Sequence, residues 1–308
     1  MEPNDALSLK DTQLLAAEDA MVRKIVGTLK EFDNVYYEIC NEPWTVGVPE
    51  DWQAHIAGVI ADEEKHTTAR HLIAQEFGMN RIRSQTPTIQ KIEKPVPYAS
   101  VFPFHAPADA VRLNYQINRP PGINETGGGP ADAPYRIQAW RVLLSGGAMF
   151  IGLDYSFTVG HEDGSFVLPA GQPGGGSPTL RQQLGILHSF VKEINVIKMS
   201  LAPDVVKSGV PEGASALALA ETGKSYAIYI DHQLPRARGQ RTVAVDSTPL
   251  QLSLILDIPP GAYVSKWLNT KSGAIEKEER FIGEGEKTVL VSPGYSEDIA
   301  LRISRAQK

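Results

Sequence analysis

Between residues 11 and 194, segments with a helical apolar period alternate with short runs rich in β-branched and aromatic residues. This alternation constrains the fold most, because strand, helix and strand in succession pack as parallel βαβ units. Helices are expected at 11–31, 51–66, 108–117, 133–147 and 179–194, and strands at 34–40, 71–75, 100–106, 121–127 and 148–158. In the first helix the apolar stripe runs through Leu14, Leu15, Met21, Val22, Ile25, Val26 and Leu29, and Glu18 interrupts it. After residue 196 the pattern changes to SALALAE, KSYAIYI, QLSLILDI, AYVSKWL, KTVLVS and IALRI, separated by Gly, Pro and charged turns. That succession reads as an all-β module, a sandwich. The expected domains are therefore 1–195, of α/β class, and 196–308, all-β.

Composition excludes several partners. The chain has 30 Lys and Arg against 36 Asp and Glu, a formal net charge of −6, and this acidic balance argues against nucleic acid as the main partner. Its one cysteine, Cys40, cannot form an internal disulfide. The N-terminal MEPNDALSLKDTQ lacks the basic and apolar regions of a signal peptide, although a longer parent could be secreted. No apolar run approaches the ~18 residues of a membrane span, so a soluble chain without membrane contact is expected. His55, His66 and His71 do not share a helix face at ligand spacing, and neither a metal nor a cofactor is expected.

Two carboxylates end buried strands. Glu42 follows YYEICN, and Glu125 follows PGIN. Residues at the C-terminal ends of parallel barrel strands point into one shared face. A pair of Glu there suits glycoside cleavage, in which one carboxyl protonates the leaving oxygen while the other attacks the anomeric carbon. Further candidates are Trp44, which can stack on a sugar face, and Gln75, either a pocket-lining residue or a buried structural amide. Asp154 and Tyr155 end the last strand of the series.

The segment FDNVYYEICNEPW resembles the fourth strand of retaining glycoside hydrolases of the cellulase-like superfamily, whose fold is a (β/α)8 barrel. INETG resembles the seventh strand, and HLIAQ, VFPFHA and FIGLDYS match strands five, six and eight. The resemblance implies a partial barrel, strands four to eight, followed by the sandwich. It makes Glu42 the acid/base and Glu125 the nucleophile, with Asn41 on the sugar 2-hydroxyl and His105 lining the sugar site. The 83 residues between Glu42 and Glu125 are close to the roughly 93 that three barrel units require. The Trp platform common in the family is absent from AMFIGLDYSFT, which leaves Asp154 to orient a neighbour or bind sugar hydroxyls.

Only 33 residues precede Asn34, enough for one helix and not for strands one to three. An open sheet edge and an exposed barrel interior invite association, so a homo-oligomer, a dimer covering that edge, is expected. The implied activity is hydrolysis of β-glycosidic bonds in a carbohydrate substrate. The alternative is a non-catalytic carbohydrate-binding protein derived from a truncated barrel.

Overall fold

The computed structural model describes residues 3–68, 70–77, 98–101, 107–126, 131–169, 175–232 and 245–306. The chain forms two compact units, Met1–Asn124 and Glu125–Lys308.

The first unit opens with α1 (Pro3–Ala6) and α2 (Thr12–Leu29), then runs β1 (Tyr37–Glu38), α3 (Glu50–Glu64), β2 (Ile73–Phe77), β3 (Tyr98–Val101), α4 (Pro107–Leu113) and β4 (Pro121–Thr126). The strands pair in parallel in chain order, with Tyr37 opposite Ile73, Ala74 opposite Tyr98 and Ala99 opposite Pro121. The parallel βα units expected from the alternation are therefore present. α2 starts at Asp11, whose carboxylate accepts from the Gln13 and Leu14 N–H groups. Val26 of α2 packs with Trp52, Ile56 and Ile60 of α3 and with Tyr37 and Ile73 of the sheet. Met21 and Ile25, on the same expected stripe, stay exposed because α3 covers only part of it. Glu18 interrupts the stripe for a reason: its carboxylate accepts from the Trp52 indole N–H at 2.9 Å. The expected seven-residue strand 34–40 is shorter in the structure, with its ladder bonds running from Tyr37 to Ile39.

The second unit carries α5 (Asp132–Leu144), β5 (Met149–Gly152) and α6 (Pro178–Lys192), whose N-terminus is capped by the Ser177 hydroxyl. Among the described residues seven strands follow: β6 (Ser200–Leu201), β7 (Val206–Ser208), β8 (Ser215–Glu221), β9 (Ser225–Asp231), β10 (Ser253–Leu268), β11 (Ile275–Val291) and β12 (Asp298–Arg305). They pair antiparallel in the order β11-β10-β12-β9-β8-β6, with β7 also on β10. One face of β8, β9 and β12 (Leu217, Leu219, Tyr229, Ala300) packs on Trp140 of α5 and on Leu187 and Phe190 of α6. The other face (Ile228, Ile230, Leu301, Ile303) packs under Leu254, Leu256, Tyr263 and Trp267 of β10. Burial on both faces explains the unbroken apolar runs of β8 and β9.

Two expectations change here. The all-β region is one continuous hydrogen-bonded sheet that folds over its own core, where a sandwich was expected. QLSLILDI and AYVSKWL, read as two strands split by a Pro-Pro-Gly turn, belong to the single strand β10. The register slips between Leu256 and Gly261, and a bulge is where Pro, lacking an N–H, fits inside a strand. Opposite the bend a Cβ on Gly283 would lie 2.3 Å from the Pro259 carbonyl oxygen, so glycine is required there. The change from alternation to strands near residue 195 falls inside this second unit, because α5 and α6 pack on the antiparallel sheet.

Candidate active site

The chain leaves β1 and turns at Glu42, whose φ of +42° lies in the left-handed region. For a non-glycine residue that conformation costs about 1–3 kcal/mol and persists only where its surroundings hold it. Here both backbone polar groups are held. The Glu42 N–H donates to Glu76 Oε2 at 2.6 Å. The Glu42 carbonyl accepts from the Thr45 N–H at 2.9 Å and from the Thr45 hydroxyl at 2.8 Å. Pro43, buried beside it, accepts from the Val48 N–H and closes the turn.

Strand alternation sorts the neighbouring side chains. On β1 and β2, Tyr37 and Ile73 face α3. Gln75 shares that side, with its amide donating to Gln53 of α3 at 3.2 Å. Glu76, one residue on, takes the opposite face with Glu38, and it is 2% exposed. The Asn124 amide of β4 donates to Glu38 at 3.0 Å. Burial pushes the Glu76 carboxyl up to about 7, with the Glu38 charge adding to the rise, while the Glu42 N–H and Asn124 pull the other way. Burial likewise raises Glu38 against the hydrogen bond from Asn124. Burial, with the charges of Glu38 and Glu76, raises the Tyr36 hydroxyl and the Cys40 thiol. Glu38, Glu76 and Asn124 were not singled out from sequence. The available signal was one carboxylate within each apolar strand, Glu38 in YYEIC and Glu76 in IAQEF, on the faces opposite the apolar Tyr37 and Ile73.

Asn41 is exposed and Trp44 half-buried on the same turn as Glu42. Glu125 is the fifth residue of the six-residue β4, and its side chain lies outside the described residues, as does His105. In the second unit Asp154 accepts from the Ser156 N–H at 3.0 Å and pairs with Arg181 of α6 at 3.1 Å. Burial alone would raise its carboxyl, but Ser156 and Arg181 outweigh it and hold the group below the usual range. Asp154 thus locks the turn after β5 onto α6. Tyr155, bonded through its N–H to the Gly175 carbonyl, leaves its ring 40% exposed. A cavity of about 480 Å3 in the same unit, beside Phe190, Leu268 and Arg302, takes in none of these residues. Among the described residues no group of three or more His, Cys, Asp or Glu could hold a metal ion, and no helix is long and apolar enough to cross a membrane.

Parallel βα units bearing carboxylates at strand ends, followed by an antiparallel sheet, are a fold found in glycoside hydrolases. The chain is similar in structure to a glycoside hydrolase, with a TM-score of 0.58 and 14% identity, covering 94% of this chain and 69% of that one. It is also similar to a family 5 glycoside hydrolase from Bacteroides vulgatus ATCC 8482, with a TM-score of 0.57 and 12% identity, covering 94% of this chain and 66% of that one. The chain thus spans about two thirds of the length of each. At these identities the likeness is one of fold. No protein-family model matches the chain, and the search of curated proteins found no match.

Proposed function

We propose that the chain is a glycoside hydrolase that cleaves β-glycosidic bonds with two glutamates and retention of configuration. Glu42 is the acid/base and Glu125 the nucleophile. The observation that carries this reading is Glu42 itself: a carboxylate in the turn that follows a parallel strand, with a strained backbone pinned from both sides. Glu125, inside the C-terminal end of β4, is the second carboxylate of the series. The fold likeness to glycoside hydrolases supports the class.

In this mechanism Glu42 protonates the glycosidic oxygen as the bond to the anomeric carbon breaks, and the Glu125 carboxylate attacks that carbon from the opposite face to form a glycosyl ester. Glu42, now ionised, takes a proton from water, and the hydroxide equivalent displaces Glu125 to release the sugar. Asn41 holds the sugar 2-hydroxyl, with Trp44 and His105 lining the sugar site.

The test is turnover of an activated aryl β-glycoside panel. The wild-type chain is expected to release the aryl group with retained anomeric configuration, read by NMR, and Glu42→Gln and Glu125→Gln are each expected to lose it. Unchanged turnover in both variants refutes the assignment, and glycan binding without turnover in the wild type favours a non-catalytic carbohydrate-binding protein.

A further inference from the structure

Two buried acceptor atoms on the Glu38 face are left over. Glu76 Oε1 and Asn124 Oδ1 are both out of contact with solvent, and neither meets a hydrogen-bond donor among the described residues. An unsatisfied buried polar atom costs about 1–3 kcal/mol, so two in one small cluster need a physical account. The other ends of both groups are spoken for. Glu76 Oε2 accepts from the Glu42 N–H, and the Asn124 amide NH₂ donates to Glu38. The Asn124 side chain also lies within reach of Glu76, where its N–H favours the charged carboxylate and its Oδ1 the neutral acid. One proton resolves both vacancies. A carboxylic acid O–H at Oε1 donates to Asn124 Oδ1, while its carbonyl oxygen Oε2 still accepts from Glu42.

We propose that Glu76 is held as the neutral acid and is the positioning residue for Glu42, acting through the chain Glu42 N–H to Glu76, Glu76 O–H to Asn124 and Asn124 N–H to Glu38. The part concerning Glu42 rests on its acid/base role; the protonation of Glu76 does not. The groups facing Glu76 are Tyr36, Glu38 and Cys40 from β1 and its flanks, Glu42 from the turn, and Asn124 from β4. Each is acidic or neutral, and a second negative charge beside Glu38 is disfavoured in a buried site. The chain also ties the turn carrying Glu42 to Asn124, the residue immediately before Glu125. A single buried proton thus sets the backbone at one candidate catalytic residue and the side chain adjoining the other.

Glutamine is the neutral acid's mimic, since its carbonyl accepts from Glu42 and its NH₂ donates to Asn124. The experiment compares the wild-type chain with Glu76→Gln and Glu76→Ala. Infrared difference spectra of wild type minus Glu76→Gln are expected to show a protonated carboxyl band at pH 6 that fades as pH rises through neutrality; no such band at pH 6 overturns the proposal. Glu76→Gln is expected to melt at or above the wild type, with its advantage growing from the unfolded Glu value near pH 4.3 to about pH 7 and then level, because the folded state binds the extra proton. Glu76→Ala is expected to melt lower, and a Glu76→Gln variant as damaged as Glu76→Ala overturns the proposal. On an aryl glycoside, Glu76→Ala is expected to lose roughly 100-fold in kcat, the scale of a misplaced catalytic group, while Glu76→Gln retains activity with a flatter pH profile near neutrality. An inert wild type refutes the glycosidase reading and leaves the infrared band and the Gln-against-Ala contrast to decide on Glu76.

Discussion

Replacing Arg136 with Ala tests how the second unit is held together. Arg136 lies on α5, is 2% exposed, and donates to both carboxylate oxygens of Asp298 on β12 at 2.7 and 3.2 Å. It also donates to Glu297 at 2.7 Å and to Gln183 of α6 at 3.1 Å. One side chain therefore joins two helices to the antiparallel sheet. In the Ala variant the two carboxylates fare differently. Glu297 reaches solvent and keeps Lys271 at 3.6 Å, so it adds little to the loss. The Asp298 side chain is fully buried and retains the Tyr229 hydroxyl at 2.9 Å as its only side-chain donor among the described residues. Leaving one partner of a buried pair uncompensated costs about 3–5 kcal/mol, a large share of the ~5–15 kcal/mol by which domains are stable. Urea unfolding followed by tryptophan fluorescence reads this directly, because Trp140 on the same helix stacks on Tyr229 at 5.2 Å. The double variant Arg136→Ala, Asp298→Ala is expected to lose less than the sum of the single losses, with an interaction energy above about 1 kcal/mol. A loss in Arg136→Ala under about 1 kcal/mol, the scale of an exposed pair, or an additive cycle, refutes the reasoning.

Two further perturbations follow from local geometry. The buried His71 ring meets the Glu64 carboxylate through Nδ1 at 2.5 Å and the Phe32 carbonyl through Nε2 at 2.7 Å, two acceptors that call for N–H on both nitrogens. The Glu64 bond, then the Phe32 carbonyl, raise its pKa over the opposing effect of burial. Its contribution, about 1.5–3 kcal/mol for charge-assisted bonds, is then complete below the unfolded value near pH 6.5 and lost as pH rises through the folded value. Wild type minus His71→Leu stability measured from pH 6 to 9 should fall, and a difference constant with pH excludes the imidazolium. At Gly209, φ is +94° and a Cβ would lie 2.0 Å from the Ser253 carbonyl oxygen. Gly209→Ala is expected to destabilise by more than ~1 kcal/mol in thermal unfolding, whereas an unchanged melting temperature contradicts the close approach of that backbone.

Much of the scaffold is legible from local sequence. Asp11 and Ser177 mark helix starts because their side chains satisfy the first free N–H groups. The apolar runs at 217–220 and 226–230 mark strands buried on both faces. Asn41-Glu42-Pro43 after YYEIC marks a strand end bearing a carboxylate. Other features are silent in the sequence. The first half of β11, IEKEERFIGEGE, has almost no apolar face and was not read as a strand, since its ladder bonds to β10 form it. Period-two alternation in IAQEF places Gln75 and Glu76 on opposite faces without saying which face is the helix side.

By itself, then, the sequence determined the alternation of elements, their caps and breaks, and the two carboxylates at strand ends, because these depend on residues within a few positions of each other. Only the tertiary structure decided that Glu76 meets the Glu42 N–H across 34 residues, that Asn124 meets Glu38 across 86, and that Arg136 meets Asp298 across 162. The physical reason is that a buried polar group is defined by the partner and the burial that folding brings to it. Neither is a property of the segment in which the residue is written.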